Sequence, residues 1–179
     1  MNGVKSPEFM LKLNEFNQYS EKWSDENLFV GKSTSVADTL KQIHKALNEN
    51  QESFYSIPED PELIAQELIL FENSGSDDLE KVVDSQFSQA RITIKTSWAD
   101  AGAYTEMIRQ LEQKANELFA DAKSIVVTGL IPLMARTIKL VMVSMGMSYS
   151  LAAIIITLMM MLLLTSWKLG LWSMIPNFL

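Results

Sequence analysis

The chain of 179 residues contains no cysteine and a single histidine, His44. The lack of cysteine excludes a disulfide scaffold, a zinc-thiolate site and a thiol nucleophile. A single histidine cannot form a metal site of several histidines, and we expect no catalytic triad built on it. His44 lies beside Lys41 and Lys45 in a predicted helix, so we expect its side chain to face solvent.

Acidic residues are missing from the last third of the chain, because all 22 lie at or before Asp121. Eleven basic residues accompany them there, a local balance of −11, whereas the formal charge of the whole chain is −7. Beyond this point the charged residues are Lys123, Arg136, Lys139 and Lys168. An acidic domain without clustered basic residues repels a phosphate backbone, so we exclude nucleic acid as a partner.

A long uncharged segment separates Lys139 from Lys168, and its 28 residues include the run LAAIIITLMMMLLL at 151–164. About 20 such residues cross the hydrocarbon of a bilayer, so we predict a transmembrane span with the lipid bilayer as a partner. The alternative is a buried core helix, but the preceding domain is too small to surround a helix of this length. Small residues at 144–153 favour packing of this part of the span against protein. Met159, Met160 and Met161 fit either a surface that faces lipid or an adaptable surface beside an apolar substrate.

After Lys168 the chain is apolar again to Leu179, which is too short a stretch for a second span. With Trp167 and Trp172 beside Lys168, we expect an interfacial turn on the cytoplasmic side, followed by the truncated start of another helix. Arg136 and Lys139 flank the other end of the span, so charge alone leaves its orientation undecided.

Apolar periodicity predicts four helices in the acidic part, over about residues 7–22, 36–47, 61–75 and 102–119. Pro7 and Pro61 suit first helical positions, and Asp60 suits a helix cap. Strands are predicted at 28–32, where Gly31 would end the strand, at 86–98 and at 124–128 (SIVVT). The period of two over residues 90–96 places Ala90, Ile92, Ile94 and Thr96 on a buried face and Arg91, Thr93 and Lys95 on a wet one.

This order of elements fits an α+β fold of the split β-α-β-β-α-β, ferredoxin-like kind that lacks its first strand and carries two inserted helices. We therefore expect an extracytoplasmic α+β domain over residues 1–130, a long helix with the transmembrane span over 131–167, and a cytoplasmic turn with the start of a second span over 168–179.

Two groups of carboxylates are candidates for metal binding or for acid–base catalysis. Asp77, Asp78, Glu80 and Asp84 could bind Ca²⁺, but they lack the alternation and glycine of a calcium loop, so a solvated loop with a helix-cap acid is favoured. Glu59, Asp60 and Glu62 suggest paired acids, yet Asp60 and Glu62 suit a helix start, where negative charge favours the dipole. We predict no catalytic, cofactor-binding or metal-binding residue, no cofactor and no enzymatic activity; the residues that would bind a substrate are not identified.

Several motifs resemble bacterial exporters of the RND superfamily, of the MMPL type. They are residues 3–9 (GVKSPEF), 36–38 (VAD), 79–84 (LEKVVD), 88–94 (SQARITI), 127–129 (VTG), 166–170 (SWKLG) and 175–179 (IPNFL). The last of these is the most specific, and the resemblance covers nearly the whole chain.

The resemblance implies a fragment of the C-terminal half of a multi-pass, proton-driven exporter of lipidic or amphiphilic substrates in the bacterial inner membrane. Its partners would be the remaining helices and porter loop of the transporter, and a second copy in a homo-oligomer. The proton-relay acids of that family lie in later helices, so no catalytic residue is carried over. Residues 129–146 would link the porter domain mechanically to the span.

Two other interpretations remain open. A small membrane-anchored adaptor would use the acidic domain to recruit a partner and the tail as a tether, and it would fold and function alone. A membrane-bound enzyme is the third interpretation, although no acid, base or nucleophile constellation supports it.

Overall fold

The computed structural model describes residues 3–75, 78–165 and 168, and it divides into two compact units, Met1–Val127 and Thr128–Leu179. The first unit mixes helices and strands, so the α+β class is confirmed. Its described elements are helices α1 (Pro7–Glu21), α2 (Val36–Leu47), α3 (Pro61–Asn73) and α4 (Ala101–Leu118), strands β1 (Val30–Thr34) and β2 (Thr93–Thr96), and 3-10 turns at Gly3–Lys5 and Glu52–Phe54. The second unit contains helix α5 (Leu130–Leu163).

The helix starts follow their capping residues. At α1 the Ser6 hydroxyl accepts the Phe9 amide at 3.1 Å, and Pro7 occupies the first turn. At α2 the Ser35 hydroxyl accepts the Ala37 amide, while the Asp38 carboxylate accepts the Ser35 amide at 3.0 Å. These local signals explain why the predicted helix boundaries agree with the structure to within a few residues.

The core of the first unit lies where α1 contacts β1, α2 and α4, and where α2 contacts α3. Fully buried side chains from these elements include Met10, Leu13, Val36, Leu40, Ile64 and Leu68. Between α1 and α4, the Phe119 ring lies 5.6 Å from that of Phe9 and 6.1 Å from that of Phe16. A contiguous apolar core of this kind supplies most of the free energy of folding of a small domain.

The sheet is an antiparallel ribbon of β1 and β2, in which Lys32 lies opposite Lys95 and Ser33 opposite Ile94. Gly31 does not end the first strand as predicted but sits inside it, where the register shifts between Val30 and Lys32. An extra residue at this point bends the strand and carries the pairing on to Thr34.

Two strand predictions are corrected. The predicted strand at 86–98 is ladder-paired only at Thr93–Thr96, and Ala90 forms an isolated bridge with Val83. Residues 124–128 form no strand, and Val126 is 78 % exposed. Their β-branched sequence favours a strand, but strand formation needs a pairing partner, and none is present among the described residues.

Helix α5 extends over 34 residues, and none of its described residues is buried. It is the one described helix long and apolar enough to cross a membrane. It ends at Leu163, earlier than predicted, because Leu164 caps it and Thr165 has a positive φ of 49°. The predicted interfacial turn and second span lie outside the described residues, apart from Lys168.

Candidate functional site

A cluster of buried polar side chains joins three elements of the first unit. The amide of Asn17, on α1, donates to the Ser35 hydroxyl at 2.8 Å and to the Asp38 carboxylate at 2.5 Å. Its carbonyl accepts the Ser33 hydroxyl of β1 at 3.0 Å. Every bond in this Asn17 cluster is made between buried partners, so the cluster fixes the docking of α1, β1 and α2.

The negative charge of Asp38, the carboxylate in the Asn17 cluster, is balanced by Lys41. The Lys41 ammonium lies 3.0 Å from Asp38, donates to the Asn14 amide oxygen at 2.7 Å and sits 5.2 Å from the centre of the Tyr55 ring. Ser33 and Ser35 are both fully buried, and their hydroxyls are hydrogen-bonded to Asn17. These contacts give the cluster a structural role, because they join α1, β1 and α2.

The prediction that His44 faces solvent is wrong. His44 is 8 % exposed, and its Nδ1 lies 2.6 Å from the Glu67 carboxylate of α3. The Phe54 ring stands edge-on to the imidazole at 5.5 Å. A buried carboxylate on the neighbouring helix satisfies the ring nitrogen, which is why a histidine between two lysines turns inward.

The sequence contained a signal for this pair. His44 follows Leu40 by four residues, so it borders the apolar stripe of α2, and Glu67 lies between Ile64 and Leu68 on α3. Either position predicts an inward side chain once the helix faces are drawn. The second carboxylate oxygen of Glu67, Oε2, is buried without a hydrogen-bond partner within the described part of the chain.

The acidic loop candidates are dispersed. Asp77 lies outside the described residues, Asp78 pairs with Lys81 at 2.7 Å, and Glu80 is exposed. Asp84 accepts the Ser88 hydroxyl and the Ser88 and Gln89 amides, each at 2.7 Å. These hydrogen bonds, that of the Ser88 hydroxyl first, hold the pKa of the Asp84 carboxyl below its ordinary value.

The second carboxylate group serves the start of a helix. Asp60 caps α3 by accepting the Glu62 amide at 2.9 Å, as its place before Pro61 predicts. Glu59 and Glu62 are exposed. Among residues 3–75, 78–165 and 168, no group of three or more histidine or acidic side chains could hold a metal ion.

The solvent-exposed side of the β1–β2 ribbon carries positively charged side chains. Lys32, Thr93, Lys95 and Arg91 are exposed there, whereas Val30 and Ser33 are buried on the other side and Ile94 is half-buried. Arg91, Thr93 and Lys95 are exposed as predicted, but the predicted buried face is only half-buried at Ala90, Ile92, Ile94 and Thr96. The Glu21 carboxylate hydrogen-bonds Lys32 at 3.2 Å and raises the pKa of that ammonium.

Four hydroxyls of helix α5 bond to the backbone of the helix itself. The hydroxyls of Thr137, Ser148, Ser150 and Thr157 each donate to the carbonyl four residues earlier, at 2.6 to 2.9 Å. In hydrocarbon an unsatisfied hydroxyl is costly, so this bonding pattern suits a helix in lipid. Arg136 and Lys139 lie near its N-terminal end, three residues apart and therefore on one face.

Gly129 stands directly before α5 with φ of 120° and ψ of 175°, a conformation that side-chain-bearing residues rarely adopt. The glycine therefore permits the backbone turn from which the helix starts.

Comparison with known proteins gives no further assignment: no family model matches this chain, and neither a curated protein nor a solved structure is significantly similar to it.

Proposed function

We propose that this chain is part of a proton-driven membrane transporter of the RND superfamily, MMPL type, that exports lipidic or amphiphilic substrates. In this proposal residues 1–130 belong to the porter domain and α5 is its coupling helix, with the bilayer and the rest of the transporter as partners. The observation that carries the proposal is the succession of an α+β unit and a continuous apolar helix of 34 residues. The motifs listed above support the family.

The length of α5 supports a mechanical role. A helix of 34 residues is about 51 Å long at about 1.5 Å per residue, whereas the hydrocarbon core of a bilayer takes about 20 residues. With the apolar run 144–163 in the core, residues 130–143 form helix outside it, and Arg136 and Lys139 fall at headgroup level. A continuous helix transmits displacement as a rigid body, which a flexible linker does not.

A ferredoxin-like porter fold is part of the same proposal. In a split β-α-β-β-α-β fold the second and third strands pair antiparallel, as β1 and β2 do. The last strand pairs with the first, so residues 124–128 would complete the sheet only beside a strand that is not among the described residues. Helices α2 and α3 would then be the insertion between the second and third strands.

The family assignment is tested by sequencing the genomic DNA on both sides of the reading frame. In-frame continuation into further apolar spans, with acidic residues inside the later helices, is the expected result. Stop codons on both sides would overturn the transporter proposal in favour of a membrane-anchored binding or adaptor module. That alternative is favoured by one observation, namely that the first unit builds its own core from α1, α2, α3 and α4.

The proposed placement of residues 1–130 outside the cytoplasm is tested by cysteine labelling, for which the cysteine-free chain gives no background. Ala120→Cys introduces a thiol at an exposed position of the first unit, and Lys168→Cys introduces one beyond α5. A membrane-impermeant maleimide should label the first variant in intact cells and the second only after permeabilisation. The reverse pattern would place the domain in the cytoplasm.

The coupling role is tested by inserting Gly-Ser after Thr137 in the transporter. The matched control inserts Ala-Ala at the same place, because it shifts the helix register equally but keeps the helix stiff. We expect Gly-Ser to lower export much more than Ala-Ala at equal protein level in the membrane. Normal export by the Gly-Ser variant would show that α5 does not act as a lever.

A further inference from the structure

We propose that the uncovered face of the β1–β2 ribbon binds the headgroup of an anionic amphiphile. The ribbon face is defined by Lys32, Thr34, Arg91, Thr93 and Lys95, with Phe29 and Trp98 at one end of the strands. The inference rests on the proposed function, since it names the charge class of the substrate that the porter domain takes up.

Strand geometry places the cations together. Lys32 and Lys95 are register partners, so their side chains leave the same face of the ribbon. Thr93 lies on that face opposite Thr34, and Arg91 precedes it by two residues, just outside the paired strand. The three cations and Thr93 are exposed, which leaves the face open to a ligand.

Without a ligand, the positive charges of the ribbon face are placed unfavourably. Like charges directly opposite each other destabilise an antiparallel pair, and Lys32 faces Lys95. Glu21 neutralises Lys32 at 3.2 Å, but within the described part of the chain the side chains of Lys95 and Arg91 have no hydrogen-bonding or ion-pairing partner. An anionic group beside Lys95 and Arg91 would supply the partner that these two side chains lack.

The same ribbon carries an apolar end. Phe29 is 56 % exposed and Trp98 is 82 % exposed. Their backbones lie next to each other, since the Ser97 amide donates to the Phe29 carbonyl at 3.0 Å and the Phe29 amide donates to the Ser97 hydroxyl at 3.1 Å. Exposed aromatic rings at the end of the strands that carry Lys32 and Lys95 offer the apolar contact that an amphiphile requires in addition to the cations.

Neighbouring acidic residues determine how an anionic amphiphile would be oriented on the ribbon face. Asp25 and Glu26 lie in the turn before Phe29, at the aromatic end of the ribbon. An anionic headgroup is therefore repelled from that end and drawn to Lys95 and Arg91, while the acyl chains lie toward Phe29 and Trp98.

The experiment measures binding by calorimetry to the full chain in phosphatidylcholine nanodiscs. The probes are two water-soluble lipids with the same chains, dihexanoylphosphatidylglycerol, which is anionic, and dihexanoylphosphatidylcholine, which is zwitterionic. We expect the anionic lipid to bind about tenfold more tightly, because a cationic face concentrates anions by about that factor or more. The preference should shrink as salt is added.

Two variants separate the parts of the site. Lys32→Gln, Arg91→Gln and Lys95→Gln together should abolish the preference for the anionic lipid and leave the affinity for the zwitterionic one unchanged. A matched control with Lys45→Gln, Lys81→Gln and Lys123→Gln has the same net charge and should keep the preference. Phe29→Ser with Trp98→Ser should weaken the binding of both lipids by the same factor.

Three results would overturn the inference alone. They are equal affinity of the original chain for both lipids, equal loss in the ribbon variant and its charge-matched control, and displacement of the anionic lipid by inorganic phosphate at equal concentration. Equal affinities that the aromatic variant lowers would still leave amphiphile binding, and with it the proposed function, intact. Failure of both lipids to bind would remove the substrate role of this domain and the inference together.

Discussion

Apolar side chains of the same types are buried in the first unit of this chain and exposed in the second. In the first unit Leu40, Ile64 and Leu68 are fully buried, whereas in α5 Ile154 is 58 % and Leu162 is 81 % exposed. The first unit also holds all 22 acidic residues, while α5 has Arg136 and Lys139 as its charges. The first unit hides its apolar side chains from water, whereas α5 leaves its apolar surface exposed, and in the proposed function the bilayer covers that surface.

Polar groups show the same contrast. The first unit pairs buried polar side chains across elements, as in the Asn17 cluster and in His44 with Glu67. Helix α5 returns its hydroxyls to its own backbone, as Thr157 does to the Ala153 carbonyl at 2.6 Å. Long-range pairing fixes one tertiary arrangement, whereas self-satisfaction lets a helix stand in hydrocarbon without a particular neighbour.

The largest expected effect comes from charging α5. Replacing Ile154 and Leu158 by arginine near the middle of the proposed span should cost about 5 to 7 kcal/mol of insertion free energy. We expect the chain to move from the carbonate-resistant membrane fraction to the soluble fraction. The control Leu11→Arg, at an exposed position of the first unit, should leave the chain in the membrane. Retention of the double variant would show that α5 does not lie in hydrocarbon.

A smaller effect compares one substitution in the two units. Leu68→Ala removes a fully buried side chain and should lower the free energy of unfolding of the first unit by about 2 to 5 kcal/mol. Leu162→Ala, at an 81 % exposed position, should change it by less than about 0.5 kcal/mol. Urea unfolding in mild detergent, followed by near-ultraviolet circular dichroism, measures both. Equal losses would contradict the division into independent units.

The smallest effect concerns an exposed ion pair of α4. Hydrogen bonds from Arg109 and then Gln110 lower the pKa of the Glu106 carboxyl to about 2. Because this folded-state pKa is depressed, the stabilisation is present above the pKa of the unfolded chain and is lost as the pH falls toward about 2. Carboxyl ¹³C shifts followed through a pH titration should show this, and Arg109→Gln should raise the pKa toward its ordinary value. An unchanged titration in that variant would show that the pair does not form in solution.

The helices were the most predictable part of the structure. Their starts depend on residues within one turn, such as Ser6 before Pro7 and Ser35 with Asp38. Contacts of this kind can be predicted from the local sequence. The strands were less predictable. Residues 124–128 have the composition of a strand but lack a pairing partner among the described residues, and Gly31 continues a strand because a bulge accommodates it.

The polar sites were predictable in part. The solvent exposure of Arg91, Thr93 and Lys95 followed from a period of two. The pairing of Lys95 with Lys32 depended on which strand lay alongside. His44 was misassigned because its neighbours in sequence are lysines, whereas its neighbours in space are Glu67 and Phe54.

The sequence by itself determined the division into an acidic, core-forming part and an apolar helix, since composition and periodicity act along the chain. It also determined the helix caps, because their hydrogen bonds span three residues or fewer. Only the tertiary structure decided that His44 is buried against Glu67, that Asn17 joins three elements, and that Lys32 and Lys95 share one face of the ribbon. Each of these depends on residues far apart in sequence, and their meeting is set by how helices and strands pack, which no local pattern encodes.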